Sequence, residues 1–299
     1  MAARILLLGK DGQVGWELQR ALAPLGAVFA CGRREVDFEQ PGALAARVAE
    51  VQPTVIVNAA AYTAVDKAET DVERAGRING AAVAELAQAA ARQGAWLVHY
   101  STDYVFDGRG SRPWKEDDPV HPLSVYGRTK LEGEEAIRSA GGRHFIFRTS
   151  WVFAERGGNF ARTMLRLAGE REQLSVIADQ FGAPTCAALI ADVTALALYR
   201  LALDHTLAAG ASGTYHLAAS GETSWHGYAQ YLVAQALESG ASLKASPDSI
   251  AAIPTEAYPL PARRPANSRL DTGKLERTFG IVMPAWQHHV QRVVRGWVG

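Results

Sequence analysis

The sequence predicts an α/β protein built on one doubly wound parallel sheet, followed by a smaller C-terminal lobe. Three observations predict it. Short apolar runs alternate with amphipathic stretches through the first half of the 299 residues, a glycine-rich turn joins the first run to the first helix, and the pattern loosens after Trp151. Strands separated by helices pack as parallel sheets covered on both faces, and right-handed crossovers then leave the doubly wound order. Residues 1–150 are read as the sheet domain. Residues 151–299 are read as the second lobe, with some segments returning to the first domain.

The elements follow in order. Residues 4–8 are apolar, too short for a helix, and end at Gly9, which fits a buried strand. A helix over 13–23 opens at the glycines, and 27–31 is a second short apolar strand. Pro41 opens a helix over 41–51, a position proline favours. Residues 54–58 form a third strand, 72–93 one long alanine-rich helix, 95–100 a fourth strand, 124–139 a helix and 144–149 a fifth strand. Beyond Trp151, helices are expected at 159–170, 187–203 and 224–238, and a strand at 213–217. A proline-rich loop is expected at 253–265, and a helical end at 271–297 broken at Pro284.

Composition narrows the function. Hydrophobic residues make up 48% of the chain, enough for a large core, and the formal net charge is zero with a pI near 7.1. No basic stripe suits nucleic acid and no polybasic arm suits a membrane surface. No apolar run approaches the ~18 residues that span a bilayer, and the four-residue run near the start lacks the pattern of a signal peptide. Cys31 and Cys186 stand far apart and read as buried small hydrophobes in a reducing cytoplasm.

Gly9, Gly12 and Gly15 follow a strand and open a helix. A pyrophosphate needs that context: a tight turn, close backbone approach and free N–H groups at a positive helix end. The spacing is G-x-x-G-x-x-G, so a structural turn of another α/β protein competes with a dinucleotide site. NAD-binding sheets place an acidic residue after the second strand. Here that place reads Cys31-Gly-Arg33-Arg34-Glu35. Guanidinium groups suit a ribose 2′-phosphate, which favours NADPH with NADH also accepted; two solvated arginines are the alternative. Asp37 and Phe38 are placed to border an adenine. The small residues of Asn58-Ala-Ala-Ala61 suit either a cofactor lying across the strand end or close helix–sheet packing.

Tyr126 and Lys130 fall one helical turn apart on one face. A phenol, with a reference pKa of ~10, becomes useful for acid–base work near neutrality when its anion is stabilised, and an ammonium beside it, together with the positive nicotinamide of an oxidised cofactor, does that. Thr102 closes the fourth strand, where its hydroxyl is placed to bond the substrate oxygen. Nine tyrosines and six lysines in 299 residues give about 0.2 such spacings by chance, so the pair gains weight from Thr102 and the glycine turn. Trp151 suits equally a flat ligand face and a core position. His99, His144 and His216 fall in strands and read as satisfied core residues; no histidine has ligand spacing.

Seven stretches carry a resemblance: LGKDGQVGWEL at 8–18, NAAAYTAVDKAE at 58–69, YSTDYVFDG at 100–108, YGRTKLEGE at 126–134, RTSWV at 148–152, DQFGAPT at 179–185 and RPANSRLD at 264–271. Together they make the chain similar, over nearly its whole length, to the dTDP-4-dehydrorhamnose reductases of the extended short-chain dehydrogenase/reductase superfamily. The resemblance implies a Rossmann domain, a cytoplasmic enzyme of polysaccharide biosynthesis and a dTDP-sugar substrate. It implies that Gly12, Gln13, Val14, Asp37, Phe38, Ala61, Tyr62 and Thr63 touch the cofactor. Tyr126 is the implied proton donor and Lys130 its partner, while Thr102 and Asp103 hold the sugar and Trp151 packs on it. It further implies a possible homodimer with Mg²⁺ between subunits, one acidic ligand falling at Glu17, although a solvated helix glutamate explains Glu17 as well. Asp11 and Tyr62 depart from the commoner Thr or Ala and His, which touches only cofactor preference. An epimerase or dehydratase of the same fold, a non-catalytic subunit that keeps it, and a structural protein with an incidental glycine turn are the alternatives.

Overall fold

The computed structural model describes residues 3–298. Its first half supplies strands β1 (Ala3–Leu8), β2 (Gly26–Cys31), β3 (Val55–Asn58), β4 (Trp96–Thr102) and β5 (His144–Thr149). A sixth strand, Gly213–His216, comes from the second half and pairs with β5. All pairings in this sheet are parallel, and the order is β2-β1-β3-β4-β5 followed by Gly213–His216. The order reverses between β1 and β3, and doubly wound sheets bind ligands at the carboxyl ends flanking such a reversal.

Helices α1 (Gln13–Leu22), α2 (Ala43–Val51), α3 (Val65–Ala68), α4 (Val72–Gly76), α5 (Ala82–Gln93) and α6 (Val125–Ser139) connect the first five strands. Every residue of β4 is buried, as expected of a central strand apolar on both faces. Leu6, Leu8, Ile56, Leu97 and Ile146 face a core closed by α2, α5 and α6. Ile5, Leu7, Val57, Val98 and Phe147 face the other layer, closed by α1, Ala187–Leu203 and the C-terminal helix Trp286–Val298. A smaller cluster, including Leu174, Val176, Val233 and Ile250, lies in the second half, where Leu174–Ile177 pairs in parallel with Ile250–Ile253.

Three expected elements differ. The helix expected from Pro41 begins at Ala43, because Gly42 holds a left-handed φ of 84°. The long helix over 72–93 is interrupted by a π-helical turn at Arg77–Ala81. The turn carries buried Asn79, whose Oδ1 accepts from the Tyr62 N–H at 2.8 Å and whose Nδ2 donates to the Tyr62 carbonyl and to Thr129 Oγ1. Local helical order thus gives way to a polar joint between the loop after β3 and α6. The C-terminal helix breaks earlier than Pro284: Gly273–Phe279 is capped by Gly280 at φ 63°, and Trp286–Val298 follows.

α6 is fixed at both ends. Ser124 accepts the Gly127 N–H at 3.1 Å as N-cap, and Glu69 accepts the Val125 N–H at 2.9 Å. Three turns on, Arg148 of β5 donates through Nε and Nη2 to the two oxygens of Glu134, at 2.9 and 2.7 Å. Glu134 is 0% and Arg148 3% exposed. Burial opposes the carboxylate charge and Arg148 outweighs it, holding the carboxyl below its usual range. Removing one partner strands the other's charge. Glu134→Ala is therefore expected to lower the unfolding free energy by about 3–5 kcal/mol, read as a shift of the urea midpoint; a loss under about 1 kcal/mol contradicts this account.

Candidate active site

A cleft of about 730 Å³ opens over the carboxyl ends of β1, β3, β4 and β5. Gly9 turns the chain out of β1 at φ 86°, with its Cα so near Ala59 and Ala60 that an added Cβ would lie 2.6 Å from the Ala60 nitrogen. Gly12 follows as the N-cap of α1 and has no side chain to cover the helix end. The backbone there is open to an anion, as the glycine spacing implied. Gly15 serves differently: it is buried against the turn, where an added Cβ would meet the Gly9 carbonyl at 2.0 Å.

Most expected cofactor residues line this cleft: Gly9, Gly12, Gln13, Val14, Arg33, Asp37, Phe38, Ala61 and Thr63. Arg33 is paired to Glu39 and lies 3.8 Å from Asp37, so its guanidinium is presented from an acidic collar. Gly15, Arg34 and Tyr62 fall outside the lining. Arg34 is exposed on the loop. The Tyr62 side chain turns away, its hydroxyl donating to Asp71 at 3.0 Å, and only its backbone serves the region, through Asn79.

Thr102, Asp103, Tyr126, Lys130 and Trp151 also line the cleft. The fourth strand runs two residues further than expected and delivers Thr102 at its carboxyl end. Thr102 Oγ1 donates to Asp103 Oδ1 at 3.1 Å and accepts the Tyr104 N–H at 3.2 Å. Burial pushes the Asp103 carboxyl up to about 6, against the hydroxyls of Ser268 and Thr102. Tyr126 packs edge-on against Tyr104, with ring centroids 5.5 Å apart. Thr149 Oγ1 and Ser150 Oγ are buried with no hydrogen-bond partner among the described residues, and both residues line the cleft. Such hydroxyls beside a glycine cradle fit a ligand rich in oxygen, as a dinucleotide is.

In the protein alone, burial sets the electrostatics of Tyr126 and Lys130. Burial pushes the phenol up to about 12; the Thr102 hydroxyl pulls it back and the Asp103 charge adds to the rise. Burial brings the Lys130 ammonium down to about 8, opposed by Glu134. Lys130 Nζ bonds the Tyr100 carbonyl at 2.6 Å and stands 3.1 Å from His99 Nε2. In the protein alone burial is the dominant influence on both groups and drives each toward its neutral form.

Two further residues were not singled out from the sequence. His99 meets its expectation of being satisfied, yet one of its partners is Lys130. Trp225 lines the cleft and stacks on Trp151 at 3.6 Å with 12° between the planes. Trp151 holds a left-handed φ of 49°, costly for an aromatic residue and typical of over-determined functional positions. Sequence spacing carries no signal for a pair 74 positions apart. Of the other strand histidines, His144 Nδ1 bonds the Gly142 carbonyl, but both ring nitrogens of buried His216 lack partners among the described residues. The stretches 180–185 and 264–271 lie side by side: Phe181 exchanges backbone bonds with Ala266 and Ser268. Gln180 Oε1 accepts from Trp225 Nε1 at 3.2 Å.

Among the described residues no group of three or more His, Cys, Asp or Glu side chains is placed to hold a metal. Glu17 lies 3.6 Å from Arg20, and a single chain assembles no Mg²⁺ site around it. No helix among those residues is long and apolar enough to cross a membrane.

The family model described as RmlD substrate binding domain matches residues 3–297. The chain is 53% identical over 298 residues to the dTDP-4-dehydrorhamnose reductase of Escherichia coli, covering 97% of this chain and 96% of that protein. It is 52% identical over 294 residues to that of Burkholderia thailandensis, covering 98% of each. Among solved structures, the Bacillus anthracis dTDP-4-dehydrorhamnose reductase in complex with NADP superposes with a TM-score of 0.86 at 31% identity, covering 98% of this chain and 99% of that one. The cradle at Gly9 and the Thr102–Tyr126–Lys130 set therefore sit in a chain that belongs to the dTDP-4-dehydrorhamnose reductase family.

Proposed function

We infer that the chain reduces the 4-keto group of dTDP-4-dehydro-L-rhamnose to give dTDP-L-rhamnose, with a reduced nicotinamide dinucleotide as the electron source. The observation that carries this reading is the meeting of Tyr126, Lys130 and Thr102 with the glycine cradle in one cleft, in a chain 53% identical to a reductase of that name. The cofactor supplies a hydride to C4 of the sugar. Tyr126 delivers a proton to the oxygen there, and Thr102 orients that oxygen through its hydroxyl. Lys130 binds and orients the ribose beside the nicotinamide. Asp103 holds Thr102 and meets the sugar, and the Trp151–Trp225 stack offers a flat apolar wall to it. Arg33 fits a 2′-phosphate, which supports NADPH over NADH. Residues 151–299 act as the substrate side, with 180–185 and 264–271 gripping the nucleotide. A cytoplasmic location and a homodimer complete the proposal; the free, buried Cys31 and Cys186 accord with a reducing compartment.

Loss of reduced-nicotinamide absorbance on adding the dTDP-keto sugar tests the reading: one NADPH consumed per product is expected, whereas an epimerase or dehydratase returns its cofactor. Tyr126→Phe is expected to keep dinucleotide affinity within about threefold and to lower kcat by about 10²–10⁴; turnover within tenfold of the unaltered enzyme refutes the assigned proton donor. Arg33→Ala is expected to raise the KM for NADPH about tenfold and leave that for NADH unchanged. Asp103 carries a stability cost. Its folded carboxyl titrates near 6, above the unfolded value, so stability falls as pH rises from about 4 to 6 and stays lower above that. Asp103→Asn is expected to raise the unfolding free energy by about 2 kcal/mol at neutral pH, with no gain at about pH 4, while activity falls. Thermal melts across that interval check it.

A further inference from the structure

A polar cluster lies directly behind Lys130. His99, on β4, is 1% exposed. Its Nδ1 lies 3.1 Å from Asn58 Nδ2 and its Nε2 lies 3.1 Å from Lys130 Nζ. Asn58 Oδ1 accepts the Ala60 N–H at 3.1 Å, and only the oxygen of an amide side chain can accept that hydrogen. The Asn58 NH₂ is thereby turned toward His99. The imidazole Nδ1 must then accept, which in a neutral ring places the hydrogen on Nε2, facing Lys130. Burial holds this imidazole well below the usual histidine range, so the ring is neutral. An ammonium has no lone pair to accept the Nε2 hydrogen. An uncharged amine accepts it while still donating to the Tyr100 carbonyl.

We propose that His99, oriented by Asn58, is a positioning residue that holds Lys130 as an uncharged amine in the protein alone at about pH 9, so that dinucleotide binding there takes up a proton at that amine. The inference rests on the reductase reading above and deepens it. The other charged groups around the amine do not reverse it. Glu134, one turn along α6, favours the ammonium, but its carboxylate is taken by Arg148 and by Arg138 at 3.1 Å. Tyr126 on the first turn of α6 and Asp103 after β4 are both driven by burial toward their neutral forms. Burial acts on Lys130 in the same direction. The cluster also reaches the cofactor side of the cleft. For Lys130 to charge while keeping its histidine partner, the His99 hydrogen must move to Nδ1, the Asn58 amide must turn, and the Ala60 N–H must find another acceptor. Asn58, Ala59, Ala60 and Ala61 all line the cleft, so the charge on the lysine is linked to the backbone against which a dinucleotide lies.

Calorimetric titration of the full chain with NADH, which has no titrating 2′-phosphate, at about pH 9 in buffers of different ionisation enthalpy counts the protons. The expected result is uptake of about one proton per NADH in the unaltered protein. In His99→Gln the uptake is expected to fall below about 0.3, because an amide oxygen accepts from an ammonium and lets Lys130 charge beforehand. No uptake in the unaltered protein, or equal uptake in both, overturns the proposal. Uptake as expected without reduction of the keto sugar upholds it while overturning the reductase reading; failure of NADH to bind overturns the proposal, and failure of NADPH to bind as well overturns both. Nitrogen-15 spectra of the unaltered protein require no variant: the His99 hydrogen is expected on Nε2, and finding it on Nδ1, or on both nitrogens, overturns the proposal.

Discussion

The helix that carries the reacting groups is fastened to the sheet by an ion pair that water does not reach. Arg148 on β5 and Glu134 on α6 meet through two parallel hydrogen bonds, both side chains buried. Such a pair adds little net stability over a well-packed apolar contact, because two charges have left water. What it does add is position. A guanidinium fork accepts a carboxylate in one plane, so α6 cannot slide along or roll on β5 without stranding a charge. The Ser124 cap and the Glu69 bond to the Val125 N–H fix the other end. Tyr126 and Lys130 lie between these anchors, and their placement over the carboxyl ends of β4 and β5 follows from them.

A rigid, dry site has an electrostatic consequence. Tyr126 and Asp103 are pushed up and Lys130 down, so each of the three moves toward its uncharged form. Desolvation, not pairwise attraction, is the first cause in every case. A cleft that discharges its own groups leaves little internal charge to screen an incoming one, and in such a medium each added charge is felt strongly. The acid–base character of the tyrosine is therefore a property of the occupied site, where lysine and nicotinamide act together as the sequence reading expects, rather than of the tyrosine–lysine pair alone.

The legible part of the molecule was the part governed by local pattern. The parallel sheet followed from short apolar runs between amphipathic stretches, the cradle from Gly9 and Gly12 at a strand–helix junction, and the Tyr126–Lys130 pair from helical spacing. Three features were not legible because their causes are non-local. The π-turn at Arg77–Ala81 exists so that Asn79 can bond Tyr62 and Thr129, 17 and 50 residues away. The Trp151–Trp225 stack joins the loop just after β5 to the first residue of the helix Trp225–Glu238. His99 looked like a core histidine because it falls within a strand after the apolar run Trp96–Val98; only the register of β3 against β4, which pairs Asn58 with His99, shows the polar cluster. Tyr62 failed in the opposite sense: its neighbours in sequence line the cleft, but strain-free packing against Ala68, Ala75 and Val125 takes its ring elsewhere.

The mouth of the cleft depends on the second half in a way the first half cannot replace. Trp151 follows β5 with a left-handed backbone; its ring stacks on Trp225 and lies against Gly182, and its carbonyl accepts the Thr185 N–H at 3.2 Å. Trp225 is held in turn by Phe160, with ring centroids 4.5 Å apart, and by the hydrogen bond to Gln180. Gln180 donates to Thr255 Oγ1, which itself donates to Asp179 at 2.6 Å. This chain of contacts runs from the cleft into the small core around Leu174, Val176 and Ile250, where Leu174–Ile177 and Ile250–Ile253 pair. Phe160 and Trp225 pack against both this small core and the main one, so the wall of the cleft is tied to both.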